Sequence, residues 1–241
     1  MKRTLSLLLS VFLFGCAAPT PPCQPYELTA EPPQYYVVLD YGHGGSDCGA
    51  VGIETGVKES DLNLAIGERV AAALEDRGCF VLRTRTGADA IGKTKRDDMA
   101  KRGAILCAEG ADCTVSIHMN KFADRSVKGP MCYFQAGAED GRALAQAVID
   151  ALTEALGKSG RLANPGNNFV TRIPTAPSVL VECGFLSNPE DERNLQDADF
   201  QQLLADAIAD GVLAFLKSQN ESDFREKKSN SACASRRKLI Q

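Results

Sequence analysis

Tryptophan is absent from this chain of 241 residues, and histidine occurs only twice. The first absence weakens the case for an aromatic platform that stacks sugar rings. The second makes each histidine half of the imidazole supply for any chemistry. An excess of basic charge is also missing: 27 Lys and Arg against 31 Asp and Glu leave a formal charge of −4. That balance argues against a nucleic-acid partner, which needs a basic face. Nine cysteines are present without one CxxC pair, so a structural zinc knuckle is not expected. There is no internal repeat. The apolar run Leu5 to Phe14 is about ten residues, too short to span a bilayer.

What is present is ordinary globular material, 44% hydrophobic and 24% charged, long enough for one substantial core. Met1-Lys2-Arg3 followed by the short apolar run reads as a signal peptide over 1–15. It ends in Leu13-Phe14-Gly15-Cys16, which resembles a lipobox with Cys16 as the lipidated residue. Pro19, Pro21, Pro22, Pro25, Pro32 and Pro33 make 16–34 an extended tether. Residues 35–217 then form one domain, and the polar, finally basic stretch 218–241 reads as a disordered tail. An exported chain enters a space where disulfides are permitted, although the irregular cysteine spacing specifies no pairing. Cys79 and Cys107 adjoin apolar runs and are expected to be buried.

Strand and helix patterns alternate along the domain. Val37-Val38-Leu39-Asp40 is a strand running into Gly42-His43-Gly44-Gly45. Ser60 is a plausible N-cap for a helix carrying Leu62, Ile66, Val70, Ala73 and Leu74, stopped at Gly78. Further strands are read at Cys79 to Thr84, Cys113 to His118, Gly129 to Gln135 and Ser178 to Glu182. Helices are expected near Thr94 to Glu109, Glu139 to Leu156, Pro189 to Gln196 and Asp199 to Lys217, with a loop over Lys158 to Asn168. This order implies a single α/β domain with a mostly parallel central sheet and helices on both faces. Ligands of such sheets collect at the carboxyl ends of the strands. His43, His118 and Glu182 each follow or end an apolar strand there.

Two imidazoles and two carboxylates on one rim suit a catalytic zinc site, which takes three protein ligands and leaves a position open. A second carboxylate is then needed to move the proton. Glu59 and Glu182 are available for these two posts, and the chemistry alone does not say which is ligand and which is base. Asp40, Asp47 and Cys48 are rival ligands by their nearness to His43.

Four blocks resemble, in order, the signatures of the zinc-dependent N-acetylmuramoyl-L-alanine amidases of the type-3 family. They are Val38-Leu39-Asp40-Tyr41-Gly42-His43-Gly44-Gly45, Gly56-Val57-Lys58-Glu59-Ser60-Asp61-Leu62-Asn63-Leu64-Ala65, Ser116-Ile117-His118-Met119-Asn120 and Val181-Glu182-Cys183-Gly184-Phe185-Leu186-Ser187-Asn188-Pro189. The resemblance implies that His43, Glu59 and His118 bind one Zn2+ per chain and that Glu182 is general base and acid. It implies hydrolysis of the amide between N-acetylmuramic acid and L-alanine in peptidoglycan, with Asn120 as a substrate-binding residue. Tyr41 departs from the family, which usually has a small residue or proline before the Gly-His pair. Cys183 follows the proposed base but faces the opposite way on its strand, into the core.

The whole chain thus reads as a membrane-anchored lipoprotein facing the cell wall or periplasm, monomeric, with any activating partner left open. Two competitors stand beside it. A zinc peptidase acting on wall peptides commonly uses two metals, for which histidines are too few. A non-catalytic amidase-like lipoprotein that binds peptidoglycan or activates a partner would not need all four catalytic positions filled.

Overall fold

The computed structural model describes residues 33–157 and 161–238, with the backbone alone from 222 onward. Cys16, the signal peptide and most of the proline-rich tether lie outside the described residues. Six strands form one sheet: β1 (Tyr35–Tyr41), β2 (Cys79–Arg83), β3 (Cys113–Asn120), β4 (Met131–Gln135), β5 (Asn164–Gly166) and β6 (Ser178–Phe185), in the order β2-β1-β3-β6-β4-β5. Strands β2, β1, β3 and β6 run parallel, and β4 is antiparallel to β6.

The two faces of the sheet are covered unequally, and this places the site. Alternate residues of a strand point to opposite faces. Tyr35, Val37, Leu39 and Tyr41 of β1 enter the large core against α1 (Glu59–Glu75), α3 (Glu139–Ala155) and α6 (Ala198–Lys238). Tyr36 and Val38 belong to a small cluster with Leu106, Val170 and Leu180, under α2 (Lys95–Leu106) and α4 (Phe169–Arg172). On that second face the carboxyl-terminal half of the sheet carries Asp40, Ser116, His118 and Glu182. Cys183 points the other way and is buried in the large core, as strand alternation requires.

Tyr41 has a plain structural role. It is fully buried, and its ring lies on Gly67 of α1, where an added Cβ would come within 2.3 Å of Tyr41 Cδ1. A bulky residue before the Gly-His pair is accommodated by a missing side chain one layer away.

Several local expectations are corrected. Helix α1 begins at Glu59, with Lys58 at the N-cap and no capping side chain. Its first amides are satisfied instead by loop carbonyls, Glu59 N–H by Ala50 at 2.9 Å and Ser60 N–H by Cys48 at 3.1 Å, so Ser60 is free to lie inside the helix. The glycine- and asparagine-rich loop contains β5, which pairs with β4 at the sheet edge, where Pro165 is tolerated. Cys107 is exposed because α2 ends at Leu106 and Cys107 is its C-cap. The expected tail at 218–241 is helical through Lys238, since α6 does not stop at Lys217. No proline or glycine follows Gly211 to end it, and the added stretch is rich in Glu, Lys, Arg, Ala and Ser. Among the described residues no helix is long and apolar enough to cross a membrane, and the cysteines at 48, 79, 107, 113, 132 and 183 are unpaired.

Candidate active site

The site begins with the register of two strands. His118 on β3 and Glu182 on β6 are direct partners in a parallel pair, so both side chains leave the same face at neighbouring positions. Neither residue ends its strand: β3 continues to Asn120 and β6 to Phe185. The functional groups therefore stand on the open face of the sheet, just short of the rim.

Glu59 reaches this point from the first turn of α1. One carboxylate oxygen, Oε2, accepts the Ala50 amide at 2.7 Å. The other, Oε1, lies 2.9 Å from His118 Nδ1 and 3.2 Å from His43 Nε2, and accepts the Met119 amide at 3.2 Å. Burial works against its charge, but the two imidazoles outweigh burial and hold the carboxyl well below its usual range. For His43, burial lowers the ring's pKa while Glu59 and Asp47 raise it, and the net direction is up.

His43 turns into the site on an unusual backbone. It is the one described non-glycine residue with positive φ, at 63°, a conformation that persists only where surroundings enforce it. Two buried guanidiniums do so. Arg85 donates to the carbonyls of Tyr41 at 2.9 Å and Gly42 at 3.2 Å. Arg102 donates to the carbonyl of Tyr41 at 2.7 Å and to that of His43. Gly42 has to be glycine for a steric reason: a Cβ there would fall 2.2 Å from His118 Cε1.

Asp40 is removed from the rival ligands by this bracing. Its carboxylate is 1% exposed and accepts from Arg102 at 2.7 Å, Thr84 at 2.8 Å and Ser116 at 2.6 Å. Burial opposes its ionisation, and Arg102 with the other donors still brings its pKa down. Asp47 stands behind His43, its Oδ2 at 2.9 Å from Nδ1. The Cys48 thiol faces the Gly49 carbonyl at 3.5 Å.

The donor atoms of His43, Glu59 and His118 all lie within 4.8 Å of one another. Zinc–ligand bonds of about 2.0–2.2 Å require donors spaced closely in this way, and two imidazoles with one carboxylate suit that ion. The group can therefore hold a metal. Glu182 is left beside it, and its Oε2 is buried with no hydrogen-bond partner among the described residues. Burial is the main reason its pKa rises to about 7; Glu59 pushes the same way, while His118 and His43 pull down. A cleft of about 190 Å³ lined by Gly42, His43, His118, Lys95, Phe169 and Leu180 opens next to the group.

Asn120 sits two residues beyond His118, with its Oδ1 accepting the Lys121 amide at 2.8 Å. Arg85, Arg102 and Glu192 had no signal in the sequence. Glu192, fully buried on α5 (Pro189–Asn194), accepts the amides of Ile53, Glu54 and Thr55 at 2.9, 2.9 and 2.8 Å. It thereby pins the loop that leads into Glu59. A residue acting on backbone groups so distant in sequence leaves no local pattern.

Comparison with known proteins identifies the family of the chain. A family profile described as N-acetylmuramoyl-L-alanine amidase matches residues 37–214. The chain is 34% identical over 206 residues to an uncharacterized protein, YqiI, of Bacillus subtilis, covering 84% of this chain and 94% of that protein. It is 27% identical over 194 residues to the germination-specific N-acetylmuramoyl-L-alanine amidase of the same organism, covering 77% and 81% respectively. Among solved structures it is similar to the CwlD amidase of Clostridioides difficile in complex with the GerS lipoprotein, with a TM-score of 0.73 and 29% identity over 76% of this chain and 99% of that one.

Proposed function

The chain belongs to the N-acetylmuramoyl-L-alanine amidase family and is a peptidoglycan amidase, and from that premise we propose that His43, Glu59 and His118 hold one zinc ion while Glu182 moves the proton. One observation carries the assignment of roles: three donor atoms converge, and the fourth candidate, Glu182, stands beside them with a buried, unpartnered oxygen.

The chemistry divides as follows. When bound, the zinc supplies a Lewis acid that polarises the scissile carbonyl and acidifies water. The carboxylate of Glu182 accepts a proton from the attacking water and returns it to the leaving nitrogen of L-alanine, so that a carboxylic acid and a free amine result. In the metal-free fold burial raises the Glu182 pKa to about 7, in the range of a group that takes up and releases a proton near neutral pH. Asn120 at the lip of the site is proposed to hydrogen-bond the substrate through its amide. We extend the proposal to the chain's N-terminus: a signal peptide cleaved before a lipidated Cys16 and a proline-rich tether hold a monomeric enzyme at a membrane facing the wall.

The decisive experiment is digestion of purified sacculi with zinc-loaded protein, followed by mass spectrometry. Release of peptides with free N-terminal L-alanine is the expected result. Intact sugar–peptide linkages would overturn the catalytic reading and favour a peptidoglycan-binding one, and cleavage within the stem peptide would favour a peptidase.

A further inference from the structure

We infer that Asp47 is a positioning residue for the metal centre, fixing which nitrogen of His43 faces the ion; the inference rests on His43 being a ligand. An imidazole has two nitrogens, and only one can serve the site. In this structure Nδ1 lies 2.9 Å from Asp47 Oδ2, and Nε2 is the nitrogen turned toward Glu59, at 3.2 Å. Both ring nitrogens thus face a carboxylate, and an ionised carboxylate only accepts hydrogen bonds. With a cation held between Nε2 and Glu59, the ring proton is left to Nδ1, where Asp47 accepts it, and the Nε2 lone pair is directed into the donor group. A carboxylate behind a ligating histidine orients the ring and raises its basicity.

Asp47 is itself held in three ways. Its main chain closes a short bridge with Gly44, with N–H···O distances of 2.8 and 3.1 Å. Its second oxygen, Oδ1, accepts the Gly49 amide at 3.4 Å. Lys95, from the first turn of α2, places its ammonium on Oδ2. The bridge is a backbone feature, so the turn survives replacement of the side chain. Among the described residues no carboxylate outside the donor group bonds to His118: its Nδ1 faces Glu59, and its ring is seated on Gly42. The two histidines are thus oriented by different means: His43 is held by an acid outside the donor group, and His118 by Gly42 and by Glu59 within it.

The test is zinc affinity of the full chain, measured by competition with a chromophoric chelator. Asp47→Asn keeps the shape but offers an amide N–H to Nδ1, which favours the wrong tautomer. Its affinity is expected to fall by about 10–100-fold, the usual cost of losing such a partner. Asp47→Ala serves as the second variant should the first not fold, with a loss of similar size. Long-range nitrogen–proton NMR of the zinc-loaded wild type should show the His43 proton on Nδ1. Wild-type affinity in a folded Asp47 variant, or a wild-type proton on Nε2, would overturn the inference. His43→Ala separates the two levels: if it binds zinc like wild type, the ligand assignment fails; if it loses zinc while the Asp47 variants do not, only the role of Asp47 fails.

Discussion

His118 and Glu182 face each other in register across β3 and β6, so a metal-ligand candidate and a proton-transfer candidate share one face of the sheet by backbone pairing alone. Glu182→Gln preserves that pairing and the size of the side chain. Zinc binding should be retained, while the rate of sacculus hydrolysis should drop by at least about 10²-fold, the typical contribution of a general acid–base group. His118→Ala should lose both. Chelator titration and turnover measured on the same samples check this, and an active Glu182→Gln enzyme would remove the base assignment.

Burying Glu182 also has a signature in stability. Its pKa in the metal-free fold is raised to about 7 from an ordinary 4.5. A raised folded-state pKa means that stability is fully present below the unfolded value and is lost as pH rises through the folded one. The metal-free wild type should therefore lose stability between about pH 4.5 and 7, by roughly 3 kcal/mol at 1.36 kcal/mol per unit. Glu182→Gln carries no charge and should not show this loss. Urea denaturation of both metal-free proteins at pH 5 and pH 8 tests it: the variant's advantage should be larger at pH 8.

Gly42→Ala places a methyl group inside the His118 ring position, 2.2 Å from Cε1. Ring or loop must shift, at a cost of about 1–3 kcal/mol for overpacking. Zinc affinity should fall together with activity, and the denaturation midpoint should fall modestly. A variant with unchanged zinc affinity would show that the close approach is not needed.

Arg102 is 2% exposed and serves Asp40 and Asp98 as well as the carbonyls of Tyr41 and His43. Arg102→Met leaves two carboxylates without their cation. The loss should be about 3–5 kcal/mol, as for other broken buried pairs. Adding Asp40→Asn should restore part of it, because the unpaired charge is then gone. Chemical denaturation of the single and double variants gives the comparison.

Cys16→Ser tests the proposed anchor. The wild type should fractionate with membranes and carry label from a fatty-acid precursor, and the variant should do neither. An unchanged distribution would reject lipidation at this residue.

The sequence by itself determined the order of the longer strands and helices, though not β5 or α4, together with the candidate residues and the face that Cys183 takes. These follow from periods of two and 3.6 residues and from motifs contained in short segments. His43, Glu59, His118 and Glu182 could be picked out because each lies next to an apolar strand or opens a helix. Tertiary structure decided the rest, since it depends on residues far apart in the chain. Tyr41 finds its place only against Gly67, and Glu182 acquires its raised pKa only from burial beside Glu59. Asp40 and Asp47 look alike in the sequence, both close to His43. The fold turns one toward Arg102 beneath the sheet face and the other onto the ring of His43. Arg85, Arg102 and Glu192 act on backbone groups across such gaps, and a hydrogen bond to a distant carbonyl or amide puts no pattern into the residues around its donor or acceptor.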